Sequence, residues 1–140
     1  CLTSSDWQDI YCDNTNCVRD GKGGPRGGPW NVLVEKDGEY EIALRRWPME
    51  KDLPLSAEMP AQKMQFGTLP GGKALPIAAA RLVIDGQDLD ARVQATDRAA
   101  VFRVRLKAGT KTHLQGWFQD ASGVDLCGAF YAYVNRLASK

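Results

Sequence analysis

The sequence has no apolar run that approaches the ~20 residues needed for a membrane-spanning helix. It also has almost no excess of charge, because 18 lysines and arginines stand against 17 acidic residues. A balanced chain has no overall field that would attract nucleic acid or an anionic membrane. We therefore predict a domain that neither crosses a membrane nor binds nucleic acid. The 140 residues are enough for one domain with its own core.

Histidine is nearly absent, since His113 is the only one, and it lies in an apparent strand with no nucleophile motif nearby. We interpret it as a strand-surface residue. Asp85, Asp88 and Asp90 cluster near a turn and can in principle bind calcium, but they lack an EF-hand pattern, so solvated turn residues are the preferred interpretation. No catalytic residue and no metal or other cofactor is predicted in this chain.

Sustained helical periodicity is missing as well, and β-strand alternation takes its place from Pro76 onward. Turn signals at Asp85-Gly86, Ala108 to Thr110 and Asp120 to Gly123 separate the alternating segments. Seven or eight short strands in all predict an all-β domain, either an antiparallel β-sandwich or a jelly roll. The strands predicted in this part are Ala80 to Ile84, Leu89 to Val93, Ala99 to Leu106, Thr112 to Gln119 and Leu126 to Asn135.

The segment from Trp30 to Pro48, WNVLVEKDGEYEIALRRWP, carries the strongest local pattern. Apolar residues alternate on both sides of Asp37-Gly38, a pair that favours a tight turn. The pattern predicts a β-hairpin with one face in the core, closed by its final proline, which cannot donate to a ladder. The residues to which we assign structural roles are Trp30, Tyr40, Arg46 and Trp47.

Arg46 breaks the alternation, because it has the same parity as Ile42 and Leu44. A regular strand would point its guanidinium into the core, where an unpaired charge costs several kcal/mol. Either the strand ends near Leu44, or Arg46 is buried and paired with a carboxylate or carbonyl group, or a bulge turns it aside.

The rest of the single domain, residues 1 to 140, is divided by composition. Residues 1 to 29 hold a strand candidate over Leu2 to Gln8 and a Cys- and Gly-rich lead-in, whose end, DGKGGPRGGP, predicts a flexible connection. Residues 49 to 75 form a long irregular loop rich in proline and methionine, with a short helix possible within Ala57 to Met64 and apolar residues suited to docking. Residues 76 to 140 are antiparallel strands.

Three segments carry a resemblance to a known family: the hairpin motif GGPW followed by V-x-V-E-K-D-G-E-Y-E-I-x-L-R-R-W-P, the start Leu2 to Gln8, and the tail Leu126 to Tyr131. Together they resemble the C-terminal region of secreted bacterial arylsulfatases, enzymes that hydrolyse sulfate esters of sugars and aryl alcohols. The likeness covers nearly the whole chain but only that accessory region. It implies a secreted or periplasmic protein in which a sulfatase catalytic domain of the same polypeptide is the partner.

The resemblance also implies where catalysis lies. Sulfatases of this family oxidise a Cys or Ser within C/S-x-P/A-x-R to formylglycine and use calcium, so the parent protein is expected to use both. No cysteine of this chain stands in that motif. The chain alone is therefore expected to be non-catalytic. The implied extracellular setting favours a disulfide between Cys12 and Cys17, with a zinc site or free thiols as alternatives.

The last predicted strand is apolar on both faces, which indicates a central strand covered on both sides. The cover can be the long loop, the catalytic domain or a bound sugar. We predict that five aromatic and cationic residues share one surface. Such a surface suits either sulfated carbohydrate or an interdomain contact, and we favour the contact. A free-standing carbohydrate-binding module and a structural or adhesion β-sandwich remain alternatives. The residues of this predicted surface are Trp117, Tyr131, Tyr133, Arg103 and Arg105.

Overall fold

The computed structural model describes residues 1–12, 15–20 and 27–138, and in this part of the chain it contains eleven β-strands and one α-helix. The strands are β1 (Leu2–Thr3), β2 (Trp30–Leu33), β3 (Gly38–Arg45), β4 (Gln62–Met64), β5 (Gly67–Leu69), β6 (Ala79–Ile84), β7 (Gln87–Arg92), β8 (Ala100–Leu106), β9 (Lys111–Gln119), β10 (Asp125–Gly128) and β11 (Tyr131–Arg136), and the helix is α1 (Thr15–Asp20).

Two antiparallel sheets form the body of the protein. Sheet A has the order β1-β11-β3-β8, and sheet B has the order β7-β6-β9. The far edge of β9 is shared by β2 and β10, which pair with opposite ends of that strand. The predicted all-β antiparallel sandwich is therefore confirmed, and four of the five strands predicted after Pro76 lie within one or two residues of the observed ones.

The core lies between the inner faces of the two sheets, where strand alternation places the apolar residues. In β8, for example, Phe102 and Val104 are buried while Arg103 between them is exposed. The two sheets touch closely at Gly116 of β9, because a Cβ atom there would lie 2.7 Å from Leu44 Cδ1 of β3. Any larger residue at this contact would force the buried Leu44 side chain to move.

The predicted hairpin over Trp30 to Pro48 is wrong. β2 pairs with β9 in sheet B, whereas β3 pairs with β11 and β8 in sheet A. Residues 34–37 instead cross between the sheets, and Asp37 anchors the crossing by accepting the Ala108 backbone N–H at 2.6 Å. Both strands alternate because both face the same interior from opposite sides, so alternation alone does not distinguish a hairpin from a crossover.

The predicted last strand, Leu126 to Asn135, is two strands. β10 lies in sheet B and β11 lies in sheet A. The buried residues Ala129 and Phe130 connect these two strands and so pass from one sheet to the other. The Ala129 N–H still donates to Gly116 O at 2.9 Å in sheet B, while Phe130 O accepts from Ser4 N at 2.8 Å near β1. The change of sheet explains why the segment is apolar on both faces. β11 lies between β1 and β3, which confirms the predicted central position for that half.

The long loop has more structure than predicted. Residues Met49–Lys51 form a 3₁₀ turn, and β4 and β5 form a small hairpin of their own, closed at its base by a bridge between Met59 and Gly72. The helix suggested within Ala57 to Met64 is wrong, because Pro60 cannot donate a helical hydrogen bond and the next residues are extended in β4.

The N-terminal segment also departs from the prediction. The strand expected over Leu2 to Gln8 ends at Thr3, and Ser4–Asp6 form a 3₁₀ turn. Trp7 is buried against Trp30 and Phe130, with ring centroids 5.9 and 5.7 Å away. Most of the Gly-rich connection, residues 21–26, lies outside the described residues.

Candidate interaction surface

The five residues predicted to share one surface lie on two opposite faces of the sandwich. Tyr131, Tyr133, Arg103 and Arg105 are on the outer face of sheet A, because their strand neighbours of opposite parity fill the core. Trp117 is on the outer face of sheet B, between the buried residues of β9. The common aromatic and cationic face is therefore wrong. The prediction placed each of the five side chains on the correct side of its strand. It was wrong because Trp117 belongs to sheet B, whereas the other four residues belong to sheet A.

The two arginines on sheet A are balanced by carboxylates of the neighbouring strand. Arg103 lies directly across from Glu41, with Nη2 3.7 Å from Oε2, and Arg105 lies across from Glu39. Alternating charges across two strands make a solvated face with little net field. This part of sheet A is not a cationic patch.

The two tyrosines are covered by the chain's own long loop. The Tyr133 hydroxyl accepts a hydrogen bond from Met49 N at 2.9 Å, and the Arg45 guanidinium lies 5.8 Å from the centre of the Tyr133 ring. Tyr131 is half-buried, and burial raises the pKa of its hydroxyl. The sequence analysis offered the long loop, the catalytic domain or a bound sugar as the group that covers this strand. The long loop covers this face of β11.

Trp117 belongs to a polar site on sheet B. The Arg81 guanidinium lies 5.5 Å from the centre of its indole ring and forms a bidentate pair with Asp88, at 2.8 and 2.6 Å. Hydrogen bonding from Arg81 lowers the pKa of Asp88. A shallow open depression lies beside this pair, with acidic and basic groups interspersed. Its lining residues are Ala79, Arg81, Asp88, Asp90, Ala91, Arg92 and Gln119.

Arg46 is fully buried and paired, which confirms one of the alternatives predicted for it. Its Nη1 donates to Ala57 O at 3.3 Å, and its Nη2 donates to Arg19 O at 3.1 Å and to Lys73 O. The acceptors are main-chain carbonyl groups, so the guanidinium ties α1 and the long loop to the end of β3. Burial lowers the pKa of Arg46 to about 10.

A partly enclosed pocket of about 150 Å³ lies beside this arginine. Its surface is mostly apolar, and two aromatic rings, from Trp47 and Tyr131, form part of the wall. Sequence analysis did not find this pocket, since its walls come from α1, the long loop and β11, which are distant in sequence. The residues that line it are Val18, Arg19, Trp47, Pro48, Lys51, Met59, Leu69 and Tyr131.

The tip of the β4–β5 hairpin presents two large apolar side chains to solvent. Phe66 is 93% exposed and Met64 is 60% exposed. An aromatic ring this exposed gains nothing from the fold of its own chain, and such residues are enriched at protein contacts. The methionine-rich loop is predicted to suit docking, and its two most exposed large apolar residues lie at this tip.

The cysteines differ in environment. Cys127 is buried in the core, where burial raises the pKa of its thiol to about 12, and Cys1 is exposed. Cys12 is buried and Cys17 packs against the core from α1, and residues 13–14 between them lie outside the described part of the chain. The Cys12–Cys17 disulfide stays a prediction.

His113 is exposed on β9, as predicted. Among residues 1–12, 15–20 and 27–138, no three His, Cys, Asp or Glu side chains converge so that they could hold a metal ion. No helix in the same part of the chain has the length and apolarity needed to span a bilayer.

Comparison of the chain with protein-family models, with curated proteins and with solved structures finds no match.

Proposed function

We propose that this chain is the non-catalytic C-terminal β-sandwich of a secreted or periplasmic arylsulfatase, where it packs against the catalytic domain of the same polypeptide. The sequence likeness supports the enzyme class through two motifs, GGPW and LRRWP. The second motif contains the buried pair Arg46 and Trp47. An accessory role is consistent with a chain that lacks the formylglycine motif.

The observation that carries the packing role is the exposed tip of the β4–β5 hairpin. Phe66 and Met64 form an apolar projection that the described part of the chain leaves exposed. Burying a phenylalanine side chain contributes about 2 kcal/mol, so a partner with a matching apolar recess gains affinity from this tip. The hairpin base is held by the Met59–Gly72 bridge, which keeps the tip in a defined position.

Two measurements test the proposal in sequence. The coding region ahead of Cys1 is determined first, and an in-frame C/S-x-P/A-x-R motif is expected there. The polypeptide so defined is then compared with the 140-residue chain by amide hydrogen exchange. We expect slower exchange over Gln62–Leu69 in the longer polypeptide, and loss of that protection in its Phe66→Ser variant. A coding region without the motif, or equal exchange in both proteins, contradicts the proposal.

A carbohydrate-binding module is the second candidate, favoured by the depression beside Arg81 and Trp117 on sheet B. Its donors and acceptors suit sugar hydroxyl groups, and the partly exposed Trp117 indole suits a sugar ring. Titration of the chain with sulfated and desulfated forms of one polysaccharide, followed by tryptophan fluorescence, tests it. Binding that Trp117→Ala removes supports this function, and its restriction to the sulfated form identifies the ligand. Absence of binding to either form argues against it.

A further inference from the structure

One side of β11 is only partly covered by its neighbour in sheet A. The strand has six residues, yet β1 pairs with only the first two of them, Tyr131 and Ala132. On its other side β11 pairs with β3 along its whole length. In the part of the chain that the structure describes, no strand continues from β1 along the rest of β11. Sheet A therefore has a free edge along the second half of this strand.

The main-chain groups of Val134 point toward this free edge. In an antiparallel sheet, the N–H and C=O groups of successive residues face alternate neighbouring strands. Phe130 O accepts from Ser4 N at 2.8 Å beside β1, whereas Leu137 N donates at 2.8 Å to a carbonyl group of β3. Even-numbered residues of β11 thus face the side of β1. Val134 and Arg136 therefore offer N–H donors and C=O acceptors to a further strand.

An apolar slot, here called the edge slot, opens into the core beside this edge. Val134 has the parity of the buried residue Ala132, yet its side chain is 37% exposed. The edge slot has a volume of about 230 Å³ and lies between Val134 of sheet A and Leu33 of sheet B. The core residues Leu106 and Leu114 also line it. The core of the sandwich is thus open to solvent where β1 stops covering β11.

β1 and β2 both lead toward the edge slot. Trp30 of β2 donates from Nε1 to Thr3 O of β1 at 2.7 Å, so the two strands lie side by side at this point. Followed away from this contact, β2 reaches Val32, which lines the edge slot. Followed away from the same contact, β1 reaches Cys1, which falls opposite Tyr133 when the register is extended by one residue. A longer β1 would therefore run along the edge slot.

We propose that the free edge of β11 binds a further length of β-strand, supplied by the residues that directly precede Cys1 in the polypeptide, and that one apolar side chain of this segment fills the edge slot. This inference rests on the proposed function, in which more polypeptide lies ahead of this chain. Because Leu2 lies opposite Ala132, the residue directly ahead of Cys1 lies opposite Val134. Its side chain faces the core, as that of Leu2 does, since side chains alternate along a strand.

The geometry favours this occupant over a small apolar ligand or a second copy of the chain. A small ligand would fill the edge slot but leave the main-chain groups of Val134 without partners from a strand. A second copy would lose translational and rotational freedom on binding. The segment ahead of Cys1 is already held in register by β1, so its binding is intramolecular. Strand addition combines main-chain hydrogen bonds with a recess for an alternate side chain, and this edge has both.

The test attaches four residues to the N-terminus of the 140-residue chain. One extended chain carries Thr-Thr-Asp-Val ahead of Cys1, and the matched control carries the same residues in the order Thr-Thr-Val-Asp. The first order places valine in the edge slot and aspartate toward solvent. The second order reverses them, because a shift of one residue moves a side chain to the other face.

Amide hydrogen exchange is then measured residue by residue with NMR. In the chain with valine directly ahead of Cys1, we expect the Val134 and Arg136 amides to exchange about 10- to 100-fold more slowly than in the control, since paired edge amides exchange only on local opening. The control should resemble the 140-residue chain. The Tyr133 amide faces β3 in every version, so it reports whether sheet A is intact.

Two results overturn the proposal. The first is equal exchange of the Val134 amide in the two extended chains while the Tyr133 amide stays protected in both. The second is a Val134 amide that already exchanges as slowly as the Tyr133 amide in the 140-residue chain, since the edge would then not be free.

The coding region ahead of Cys1 identifies the natural occupant. An apolar residue directly before Cys1 supports the proposal, whereas a polar residue or a proline there overturns it, because proline cannot donate to a ladder. This outcome is separate from that of the proposed function. An apolar residue without an upstream formylglycine motif contradicts the sulfatase role alone, and the motif with a polar residue before Cys1 contradicts the added strand alone.

Discussion

The guanidinium carbon of Arg46 lies 4.3 Å from the centre of the Trp47 ring, and both side chains are almost completely buried. Two consecutive residues can be buried because β3 ends at Arg45 and strand alternation no longer separates them. The arginine holds the carbonyl groups of α1 and the long loop, and the indole packs under Gly72. This pair joins the loop to the sandwich, and several predictions depend on it.

Replacing Arg46 with methionine keeps most of the buried volume but removes the donor to the carbonyl groups of Ala57 and Lys73. The third acceptor, Arg19 O, still accepts from Lys73 N at 2.8 Å. We expect the free energy of unfolding to fall by about 2 kcal/mol, because each buried unsatisfied group costs about 1 kcal/mol or more. Urea unfolding measures it. Arg46→Lys keeps the charge but not the planar guanidinium. Its free energy of unfolding should therefore lie between those of the unsubstituted protein and of Arg46→Met. A loss below about 1 kcal/mol for Arg46→Met would show that water reaches these carbonyl groups.

A side chain at Gly72 would collide with Trp47. A Cβ atom there would lie 2.2 Å from Cη2 of a ring that has almost no exposed surface. We expect Gly72→Ala to lower the free energy of unfolding by about 1–3 kcal/mol, the usual range for overpacking. It should also shift the Trp47 indole N–H signal.

Gly109→Ala is the matched control, since nothing lies within 4 Å of its added Cβ and its φ of +79° strains the backbone only locally. That variant should leave the Trp47 signal in place. An unmoved signal in Gly72→Ala would contradict the predicted collision.

The thiol of Cys127 makes stability depend on pH. Its pKa rises from an ordinary value of 9.0 to about 12 in the folded protein. Above pH 9 the thiol of the unfolded chain loses its proton while the buried thiol of the folded protein keeps it, and this favours unfolding. The stability that the neutral buried thiol provides is therefore fully present below pH 9 and is lost between about pH 9 and 12. The loss approaches about 1.4 kcal/mol per pH unit within that window.

Urea unfolding should therefore show that the free energy of unfolding falls between pH 8 and pH 10 in the unsubstituted protein. In Cys127→Ala this fall should be smaller by about 1.4 kcal/mol. Arg46, whose pKa is lowered to about 10, contributes the opposite trend mainly above that pH. Equal falls in both proteins would indicate that the native thiol titrates normally.

Replacing two phenylalanines should change the free energy of unfolding by very different amounts. Phe130 is 1% exposed, so Phe130→Ala should cost about 3–5 kcal/mol of unfolding free energy. Phe66 lies in solvent at the hairpin tip, so Phe66→Ser should change stability by less than about 0.5 kcal/mol. Chemical denaturation of the two variants checks the contrast. A large loss for Phe66→Ser would mean that this ring packs on its own chain and is not available for a partner.

Local pattern predicted most strands and the direction of most side chains. In β8, the alternation of Phe102 and Val104 with arginines gave the correct burial for each position. Arg46 was also predicted well, because its parity and the cost of an unpaired buried charge left few arrangements. The pocket beside it was not predictable, since Val18, Lys51 and Tyr131 are joined only by folding.

The sequence by itself determined where four of the five strands predicted after Pro76 begin and end, to within one or two residues, since alternation and turn residues are local properties of the chain. It also determined which side of each strand is apolar. Only the tertiary structure decided which sheet each strand joins. Trp117 and Arg103 both point outward, yet from opposite sheets, and β2 and β3 share a core without sharing a hydrogen bond. The physical reason is that side-chain parity specifies a face, while backbone pairing depends on partners far away in the chain.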